Sequence, residues 1–347
     1  MAPPPPDDAR REPGAAPLRP GKIPPDLLQR VVFAHLGARR PEVLVRAGIG
    51  RDCAAVDLGE AACVVTCDPI TAASHHLGRL AVHVACNDLA TTGAEPVALL
   101  LTLLLREGTT PEDLEAIVAE AGRTAATLGV EIVGGHTEVT PGIDRTLAVV
   151  TALGRAPRGA VLAAGARPHD AVILTKGAAI EGTAILAADL AERLRPVLGE
   201  EGLARARAFI ERISVVPEGL IAARAGASAL HDVTEGGVLA GAWELAEASG
   251  RGIVLRADDV PVLPETQAIC HALDLDPLAL IGSGAMLICT SDPRGMLRAL
   301  AEEGIPAAEV GVITDGDRVV VRGGRARPLV PPERDEIYRV FEPPAGA

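Results

Sequence analysis

Aromatic residues are scarce in this sequence: its 347 residues include one tryptophan, one tyrosine and three phenylalanines. Basic residues are outnumbered too, because 33 lysines and arginines face 46 aspartates and glutamates, for a formal net charge of −13. Proteins bind single-stranded nucleic acid by stacking bases on aromatic rings, and duplexes by neutralising phosphates with cationic side chains. The composition therefore argues against a nucleic-acid partner and favours small metabolites.

Long apolar runs are also missing, and none approaches the roughly 20 residues that span a bilayer. The N-terminus lacks the basic and then apolar order of a secretory signal. No CxxC pair occurs, and the cysteines are scattered as Cys53, Cys63, Cys67, Cys86, Cys270 and Cys289. Such scattering is typical of buried, reduced thiols. We therefore expect a soluble, cytoplasmic protein with no membrane partner.

Hydrophobic residues make up 48% of the sequence, which at this length is enough for two domains with separate cores. Prolines are concentrated in residues 1–25, where they prevent regular helix, and we expect a disordered tail there. A change to Pro, Arg, Gly and Ala at residues 155–165 indicates a domain boundary. The predicted units are an N-terminal domain at 26–157, a C-terminal domain at 158–330 and a tail at 331–347.

Apolar periodicity predicts strands and helices that alternate through both halves. In the first half the predicted elements are a helix at 26–37, a strand at 61–67, a helix at 77–93, a strand at 97–105, a helix at 111–128 and strands at 130–133 and 146–153. In the second half they are a strand at 171–175, helices at 182–194, 203–224 and 238–249, strands at 252–256 and 285–290, a helix at 294–303 and strands within 308–322. This alternation predicts an α/β (α+β) fold in two lobes.

Four acidic segments stand out, each with a carboxylate beside glycines or at the end of an apolar run. They are centred on Asp52, Asp68, Asp88 and Asp232. Burying an unpaired charge is costly, and a magnesium ion bound by oxygen ligands offsets that cost. The pattern suggests a divalent metal that holds a phosphate-bearing ligand.

Each acidic signal also has a plainer interpretation. The glycine loop at residues 48–50 offers backbone amides to a phosphate and places Asp52 to bind a metal, although most GxG sequences are turns. Asp68 ends a predicted strand, where ligands and ordinary turn residues are both common. Asp88 lies on the buried stripe of its helix, so it is either a ligand or half of a buried salt bridge.

Three further signals lie near glycines or strand ends. Gly134-Gly135 is either a phosphate-binding pair or a tight turn, and His136 beside it is a metal ligand, a proton carrier or a satisfied core histidine. The segment His-Asp-Val-Thr-Glu-Gly-Gly at residues 231–237 precedes a helix, a favourable place for an anion. Lys176 ends a predicted strand and either neutralises phosphate or is a solvated surface group.

Taken in order, these motifs resemble the aminoimidazole ribonucleotide (AIR) synthetase superfamily. That superfamily includes AIR synthetase, formylglycinamidine synthetase, selenophosphate synthetase, thiamine-monophosphate kinase and the hydrogenase maturation protein HypE. The motifs are the glycine loop ending at Asp52, Thr66-Cys67-Asp68, Asn87-Asp88-Leu89-Ala90 with Gly93-Ala94-Glu95-Pro96, Gly134-Gly135-His136-Thr137 and the segment 231–237. Residues 82–90 and the His-Asp-x-Thr-x-Gly-Gly element look most like the HypE branch.

The resemblance covers residues 26–325 and implies a two-domain PurM-like fold whose N-terminal lobes pair in a homodimer, with ATP and Mg2+ bound in a cleft near that interface. It implies magnesium ligands at Asp52, Asp68, Asp88 and Asp232. The implied nucleotide site contains Thr66, Asn87, Gly134, Gly135 and Thr137, and to it we add Gly50 of the glycine loop and Lys176 at its strand end. We expect Asp232, His231 and His136 to be the catalytic residues.

Two features depart from the family pattern. His136 stands where members usually carry an acidic residue, which weakens oxygen-only magnesium coordination unless Glu138 substitutes. HypE also ends in a tail whose terminal cysteine receives a carbamoyl group and is dehydrated, whereas this sequence ends at Ala347 with no thiol after Cys289. We therefore expect that no cyanide precursor is carried on the tail.

Three functions stay open from the sequence. The first is an ATP-dependent enzyme of the HypE-like branch that acts on a small or partner-borne acceptor. The second is a kinase or ligase nearer thiamine-monophosphate kinase or AIR synthetase, acting on a soluble metabolite. The third is a nucleotide-binding scaffold that works through partner contact without turnover.

Overall fold

The computed structural model describes residues 25–27, 29, 43–45, 48–51, 53–57, 59–71, 76–157 and 164–341. The predicted disordered tail, most of the predicted first helix and Asp52 lie outside these ranges. The predicted domain boundary also falls partly outside them, at 158–163. What the sequence indicates for those residues stays a prediction.

The first lobe contains a six-stranded sheet with the strand order β1-β2-β3-β6-β4-β5. Its strands are β1 (Val43–Val45), β2 (Ala54–Asp57), β3 (Ala61–Ile70), β4 (Glu95–Leu105), β5 (Glu131–Val139) and β6 (Leu147–Pro157). Neighbouring strands are antiparallel except β4 and β5, which run parallel. The helices of this lobe are α1 (Pro25–Leu27), α2 (Leu77–Thr91) and α3 (Pro111–Leu128). The second of them, α2, packs on β3, β4 and β6, and α3 packs on α2 and β5.

Local chemistry sets the ends of α3. The Thr110 side chain accepts a hydrogen bond from the Asp113 amide at 3.1 Å, and the Asp113 carboxylate accepts one from the Thr110 amide at 3.0 Å. This capping box is followed by Pro111 at the first helical position, and Gly129 ends the helix in the left-handed conformation, with φ 70°. The predicted bounds of this helix, 111–128, are confirmed.

The second lobe contains a seven-stranded sheet with the strand order β13-β12-β9-β11-β7-β10-β8. Its strands are β7 (Ala171–Thr175), β8 (Ala229–Asp232), β9 (Gly252–Arg256), β10 (Met286–Thr290), β11 (Ala307–Thr314), β12 (Arg318–Arg322) and β13 (Arg325–Pro328). Its helices are α4 (Ile180–Asp189), α5 (Ala191–Arg207), α6 (Val216–Arg224), α7 (Gly237–Ser249), α8 (Pro264–Leu273), α9 (Pro293–Glu302) and α10 (Glu336–Phe341). Only β9 and β12 pair in parallel among the described strands of this sheet.

The two lobes share a continuous apolar core. One cluster of buried side chains joins Leu89 of α2 to Leu230 and Met286 of the second sheet. Gly219 in α6 permits the close approach, because a Cβ atom there would overlap the carbonyl oxygen of Ala90. The helix α2 is therefore fixed by both lobes, and so is any side chain that it carries into a site.

One face of the first sheet is open within the described part of the chain. Burial alternates along β3 and β6, and the helix-facing side chains are the buried ones. On the other face, Val97, Leu100 and Val133 are 48%, 41% and 56% exposed. A contiguous apolar surface of this kind is typical of an interaction face.

The predicted strand ends near two motifs are wrong. The strand predicted at 61–67 continues to Ile70, because β3 stays paired with β6 as far as the Ile70–Ala148 pair. The strand predicted at 130–133 continues to Val139, paired with β4 throughout. Glycines and a proline are tolerated here because β5 is an edge strand and Pro69 lies where β3 has lost its pairing with β2.

Four elements in the second half were not predicted as helix or strand, namely β8, whose residues were expected in a turn, α8, β13 and α10. The long helix predicted at 203–224 is in fact the end of α5, a 3₁₀ turn at Ala208–Arg212 and α6. The described strands are also mostly antiparallel, so Asp68 does not sit at the carboxyl edge of a parallel sheet.

The described residues include no helix of sufficient length and apolar character to cross a membrane. All six cysteine thiols are free, and Cys53, Cys86, Cys270 and Cys289 are buried as expected. The expectation of burial is wrong for Cys63, which is half-buried, and for Cys67, which is exposed. Both lie on the open face of the first sheet, since side chains on a strand alternate between its two faces.

Candidate functional site

Asp68 and Asp88 meet at the hydroxyl of Thr66, between the first sheet and α2. The Thr66 Oγ1 atom lies 2.7 Å from Asp88 Oδ2 and 3.0 Å from Asp68 Oδ2. Thr66 and Asp68 share a face of β3 because they are two residues apart in a strand, and Asp88 reaches them from the facing helix. We refer to Thr66, Asp68 and Asp88 as the acidic corner.

The acidic corner concentrates negative charge. A hydroxyl carries one proton, so Thr66 donates to only one of the two carboxylates at a time. Their oxygen atoms are no more than about 6 Å apart, a separation at which like charges repel strongly where water is scarce. A cation between them would relieve the repulsion, and carboxylate oxygens are the ligands that Mg2+ prefers. Asp68 and Asp88 therefore fit a magnesium ion.

Asp68 and Asp88 are two of the four predicted metal ligands. Within the described ranges, no three or more His, Cys, Asp or Glu side chains form a group that would hold a metal ion. Asp52 lies outside those ranges, and Asp232 belongs to the second lobe. The corner thus supplies two of the four predicted ligands, and the roles of Asp52 and Asp232 stay predictions.

The glycine loop packs against α7 of the second lobe. Gly48 and Arg51 bridge across the loop, and the Arg51 amide donates to the Gly48 carbonyl at 3.2 Å. Gly50 has a φ of 67°, and a Cβ atom there would overlap the carbonyl oxygen of Glu244. Glycine is required at this position both for the left-handed backbone and for the contact with α7.

We expect Gly50→Ala to lower the free energy of unfolding by about 1–3 kcal/mol, because the substitution adds backbone strain and an overlap with Glu244. Urea denaturation would measure the loss. Gly48→Ala is the matched control, since a Cβ atom at Gly48 would meet only the Arg51 side chain, at 3.3 Å. Equal stability of the two variants would contradict the packing of Gly50 on α7.

His231 and Asp232 are the last two residues of β8, and both are almost fully buried. The His231 Nδ1 atom lies 2.6 Å from the Asp232 carbonyl oxygen and must carry a proton to bond it, since a carbonyl only accepts. The His231 Nε2 atom lies 3.6 Å from Glu244 Oε2 on α7. The histidine thus connects β8 to the helix on which the glycine loop rests.

These contacts converge at the junction of the lobes. The glycine loop packs on α7, His231 links α7 to β8, and β8 packs against α2, which carries Asp88. The structure therefore brings the glycine loop, the His231–Asp232 pair and the helix of the acidic corner to one junction.

Asn87 faces the second lobe instead of open space. Its Nδ2 atom donates to the Ile213 carbonyl at 2.9 Å, and its Oδ1 atom accepts from the Val215 amide at 2.8 Å. The side chain is completely buried. Because both ends of the amide are engaged, this geometry favours a role in joining the lobes over the predicted contact with nucleotide.

Lys176 is also buried at the junction, so it is not the solvated surface group that the sequence allowed. Its Nζ atom lies 2.6 Å from Glu218 Oε1 and donates to the carbonyls of Ser214 at 2.6 Å and Arg212 at 3.1 Å. Burial lowers the pKa of Lys176, and the charge of Glu218 opposes that shift. An ammonium group has three donors, and three acceptors surround this one. The geometry favours a structural ion pair over the predicted contact with phosphate.

The segment 134–137 does not reach the acidic corner within one chain. It lies in β5, three strand spacings or about 14 Å from β3. The His136 Nε2 atom lies 3.2 Å from Glu138 Oε2 on the surface, and this contact lowers the pKa of Glu138. Gly135 is needed because a Cβ atom there would overlap the Leu101 carbonyl oxygen. The alternatives of a tight turn and of a core histidine are both wrong.

His83, which no sequence motif singled out, is buried on α2. Burial and the nearby charges of Arg79 and Lys176 lower its pKa to about 4. Its Nδ1 atom has no hydrogen-bond partner among the described residues. The available signal was its position four residues before Asn87, on the same side of α2.

Two family models match the chain. The model of the AIR synthase related protein N-terminal domain matches residues 50–156, and that of the C-terminal domain matches residues 167–324. A putative hydrogenase expression/formation protein of Methanocaldococcus jannaschii is 31% identical over 318 residues, which cover 87% of this chain and 90% of the relative. Carbamoyl dehydratase HypE of Rhodobacter capsulatus is 30% identical over 315 residues, which cover 88% and 89%.

Solved structures share the fold. A HypE–HypF complex gives a TM-score of 0.71 at 22% identity, with 88% of this chain and 99% of that chain covered. HypE in complex with ATP gives 0.65 at 23% identity, covering 90% and 95%. Thiamine monophosphate kinase from Aquifex aeolicus gives 0.63 at 19% identity, covering 80% and 92%. The predicted two-domain PurM-like fold is confirmed.

Proposed function

This chain belongs to the AIR synthase related family, and from that premise we propose that it is an ATP- and magnesium-dependent enzyme of the HypE-like branch. It activates an oxygen atom of a small or partner-borne acceptor by phosphoryl transfer, in hydrogenase maturation. The relatives named as hydrogenase formation protein and HypE, each about 30% identical over most of the chain, support this branch. The HypE structure with bound ATP supports the nucleotide.

The observation that carries the proposal is the acidic corner. Asp68 and Asp88 would hold a magnesium ion, which would supply positive charge to offset that of the ATP phosphates. The Thr66 hydroxyl holds the two carboxylates close together through its contacts of 2.7 Å with Asp88 and 3.0 Å with Asp68. We propose that the amides of the glycine loop, which packs on α7, bond phosphate oxygens and that Asp52 is a third ligand of the ion.

Residues of the second lobe would complete the site. His231 and Asp232 end β8 at the junction of the lobes, beside α2 and α7. His231 Nε2 is the ring nitrogen that faces Glu244, so this histidine can hold or pass a proton there. We assign His231 and Asp232 to the acceptor side of the reaction.

We further propose a homodimer that forms through the open face of the first sheet. The exposed side chains of Val97, Leu100 and Val133 favour burial against a second copy. Within one chain the segment 134–137 lies three strands away from β3, so it would act at the acidic corner only from a second subunit. The predicted roles of Gly134, Gly135, His136 and Thr137 depend on this pairing.

We expect Leu100→Glu to convert the dimer to a monomer, because a charge at the centre of an apolar interface costs several kcal/mol to desolvate. Light scattering coupled to size exclusion would give the mass. Val197→Glu, on the exposed surface of α5 in the second lobe, is the matched control and should leave the mass unchanged. A Leu100→Glu protein with the wild-type mass would reject this interface.

The function itself is tested by product analysis. Purified protein is incubated with ATP, magnesium and candidate acceptors, and the nucleotide and acceptor products are identified by mass spectrometry. Release of ADP, AMP or phosphate that requires magnesium supports an enzyme, and the modified acceptor separates the HypE-like reaction from a metabolite kinase. If the protein binds ATP but turns it over with none of the acceptor mixtures, the enzyme hypothesis is rejected and the nucleotide-binding scaffold is supported.

A further inference from the structure

The end of the chain folds back onto the start of α7. Beyond β13, the segment reaches Asp335, whose side chain is among the most buried acidic groups of the described residues at 1% exposure. Its Oδ2 atom accepts from the Gly236 amide at 2.6 Å, and its Oδ1 atom accepts from the Ile337 amide at 2.8 Å. One carboxylate thus joins the first turn of α10 to the glycine turn that begins α7.

The segment is anchored on both sides of Asp335. The Glu336 amide donates to the Ala279 carbonyl at 3.2 Å, and Glu336 Oε2 accepts from the Asp276 amide at 3.3 Å. Ile337 and Val340 pack against the apolar cluster between α4, α5 and α8. These contacts place Asp335 as part of the second lobe and not as the end of a loose tail.

Asp335 occupies the place that the sequence predicted for an anion. The N-terminal end of a helix carries partial positive charge and unpaired amides, and both favour a carboxylate. The Gly236 amide bonds Asp335, the Gly237 amide bonds the Thr234 carbonyl at 3.1 Å, and the Leu239 amide bonds the Leu278 carbonyl at 3.0 Å. The chain itself therefore supplies the anion at α7.

The turn held by Asp335 is short and leads directly to the candidate site. Only residues 233–235 separate Asp232 from Gly236. The turn is bonded to the neighbouring loop as well, because the Val233 amide donates to the Ala285 carbonyl and the Gly282 amide donates to the Thr234 carbonyl. A displacement of Gly236 is therefore transmitted to Asp232 within a few bonds.

We infer that Asp335 is a positioning residue, which fixes the glycine turn of α7 and through it the His231–Asp232 pair. The inference rests on the proposed function for its catalytic consequence, while the hydrogen bond to Gly236 stands independently of it. Asp335 touches neither the acidic corner nor any group there, so it acts through the turn alone.

The charged and titratable surroundings of Asp335 come from three parts of the second lobe. Glu181 of α4, Glu235 of the turn and Tyr338 of its own segment interact with it, and the Arg334 guanidinium lies over the Tyr338 ring. Burial raises the pKa of Asp335 to about 6 and that of Glu181 to about 7. An acid whose pKa is raised on folding makes the folded state less stable as pH rises from the unfolded to the folded value. Both groups thus lower the free energy of unfolding as pH rises toward neutrality, whereas the hydrogen bonds from the Gly236 and Ile337 amides oppose the shift of Asp335 because they favour its ionised form.

The test compares Asp335→Asn with Glu333→Gln, an exposed residue of the same segment, as the control for the loss of one negative charge. The Gly236 and Ile337 amides bond different oxygens of Asp335, and asparagine replaces one of those oxygens with an NH2 group, which donates and does not accept. We expect Asp335→Asn to lower kcat for ATP turnover at least ten-fold with KM for ATP within about two-fold, because the acidic corner is untouched. We also expect hydrogen exchange in the peptide 229–238 to accelerate at least ten-fold, with Glu333→Gln behaving as the wild type.

The outcomes separate the inference from the proposed function. If kcat and exchange in Asp335→Asn equal those of Glu333→Gln, the inference is overturned. A loss of activity that only matches the unfolded fraction, measured by circular dichroism, also overturns it, as that is a plain stability effect. If the wild-type protein turns over no ATP, the proposed function fails, and hydrogen exchange in Asp335→Asn alone tests the inference. Faster exchange that extends to residues 231–232 supports a positioning role for Asp335. Faster exchange confined to Gly236 rejects that role.

Discussion

Replacing Asp88 with asparagine is expected to weaken the binding of ATP in the presence of magnesium by at least 100-fold, about 2.7 kcal/mol. In the wild-type structure the Thr66 hydroxyl lies 2.7 Å from Asp88 Oδ2. Asparagine keeps an oxygen that can accept this hydrogen bond, so the local packing survives. What is lost is the negative charge, and with it most of the attraction for a divalent cation. Isothermal titration calorimetry with and without magnesium measures the effect.

The control for Asp88→Asn is Asp144→Asn, which removes the same charge from an exposed loop where the side chain is 84% accessible. This variant should bind ATP as the wild type does. Both variants should unfold within about 3 °C of the wild type, a shift of roughly 1 kcal/mol or less. Unchanged magnesium-dependent affinity in Asp88→Asn would reject Asp88 as a ligand and with it the observation on which the proposed function rests.

Lys176→Met is expected to have the largest effect on stability, a loss of about 3–5 kcal/mol in the free energy of unfolding. Methionine matches the length of lysine, yet it leaves the Glu218 carboxylate, whose side chain is 1% exposed, without its cation. It also leaves the carbonyls of Arg212 and Ser214 without a donor. Chemical denaturation measures the loss, and the ATP affinity of the folded fraction should change less than three-fold.

The double variant Lys176→Met/Glu218→Gln serves as the comparison for the buried pair. Removing both charges should recover part of the stability, because the cost of an unpaired buried carboxylate is gone. Glu218→Gln alone provides a milder variant if Lys176→Met does not fold. A Lys176→Met protein with wild-type stability and ATP affinity reduced more than ten-fold would instead support the phosphate contact that the sequence suggested.

Much of the first lobe was readable from the sequence because its signals are local. The helix at 111–128 is specified by Thr110, Pro111 and Gly129, all within a turn of its ends. The helix that carries Asp88 was readable from apolar residues every three or four positions. Elements without such signals were missed, and α10 is an example: one turn and a half of helix held mainly by contacts with distant residues.

The candidate site was only partly readable. Asp68 and Asp88 were selected because each carboxylate accompanies an apolar run, and the structure brings both to Thr66. Lys176 was selected on similar grounds and Asn87 through the family resemblance, yet their polar atoms are engaged by the segment 212–215 and by Glu218. A polar side chain at the end of a strand or on a helix stripe looks the same in sequence whether its partner is a ligand or the chain itself.

The sequence by itself determined the family, the main helices and strands, and the carboxylates that form the acidic corner, because these depend on residue order and on interactions within a few positions. Only the tertiary structure decided which buried polar groups face each other. The Gly236 amide meets Asp335 across 99 residues of sequence, and Asn87 meets Val215 across 128. Such pairs form because folding removes water from buried polar groups, which must then form hydrogen bonds with each other. The residues next to each group in sequence do not specify which distant group becomes its partner.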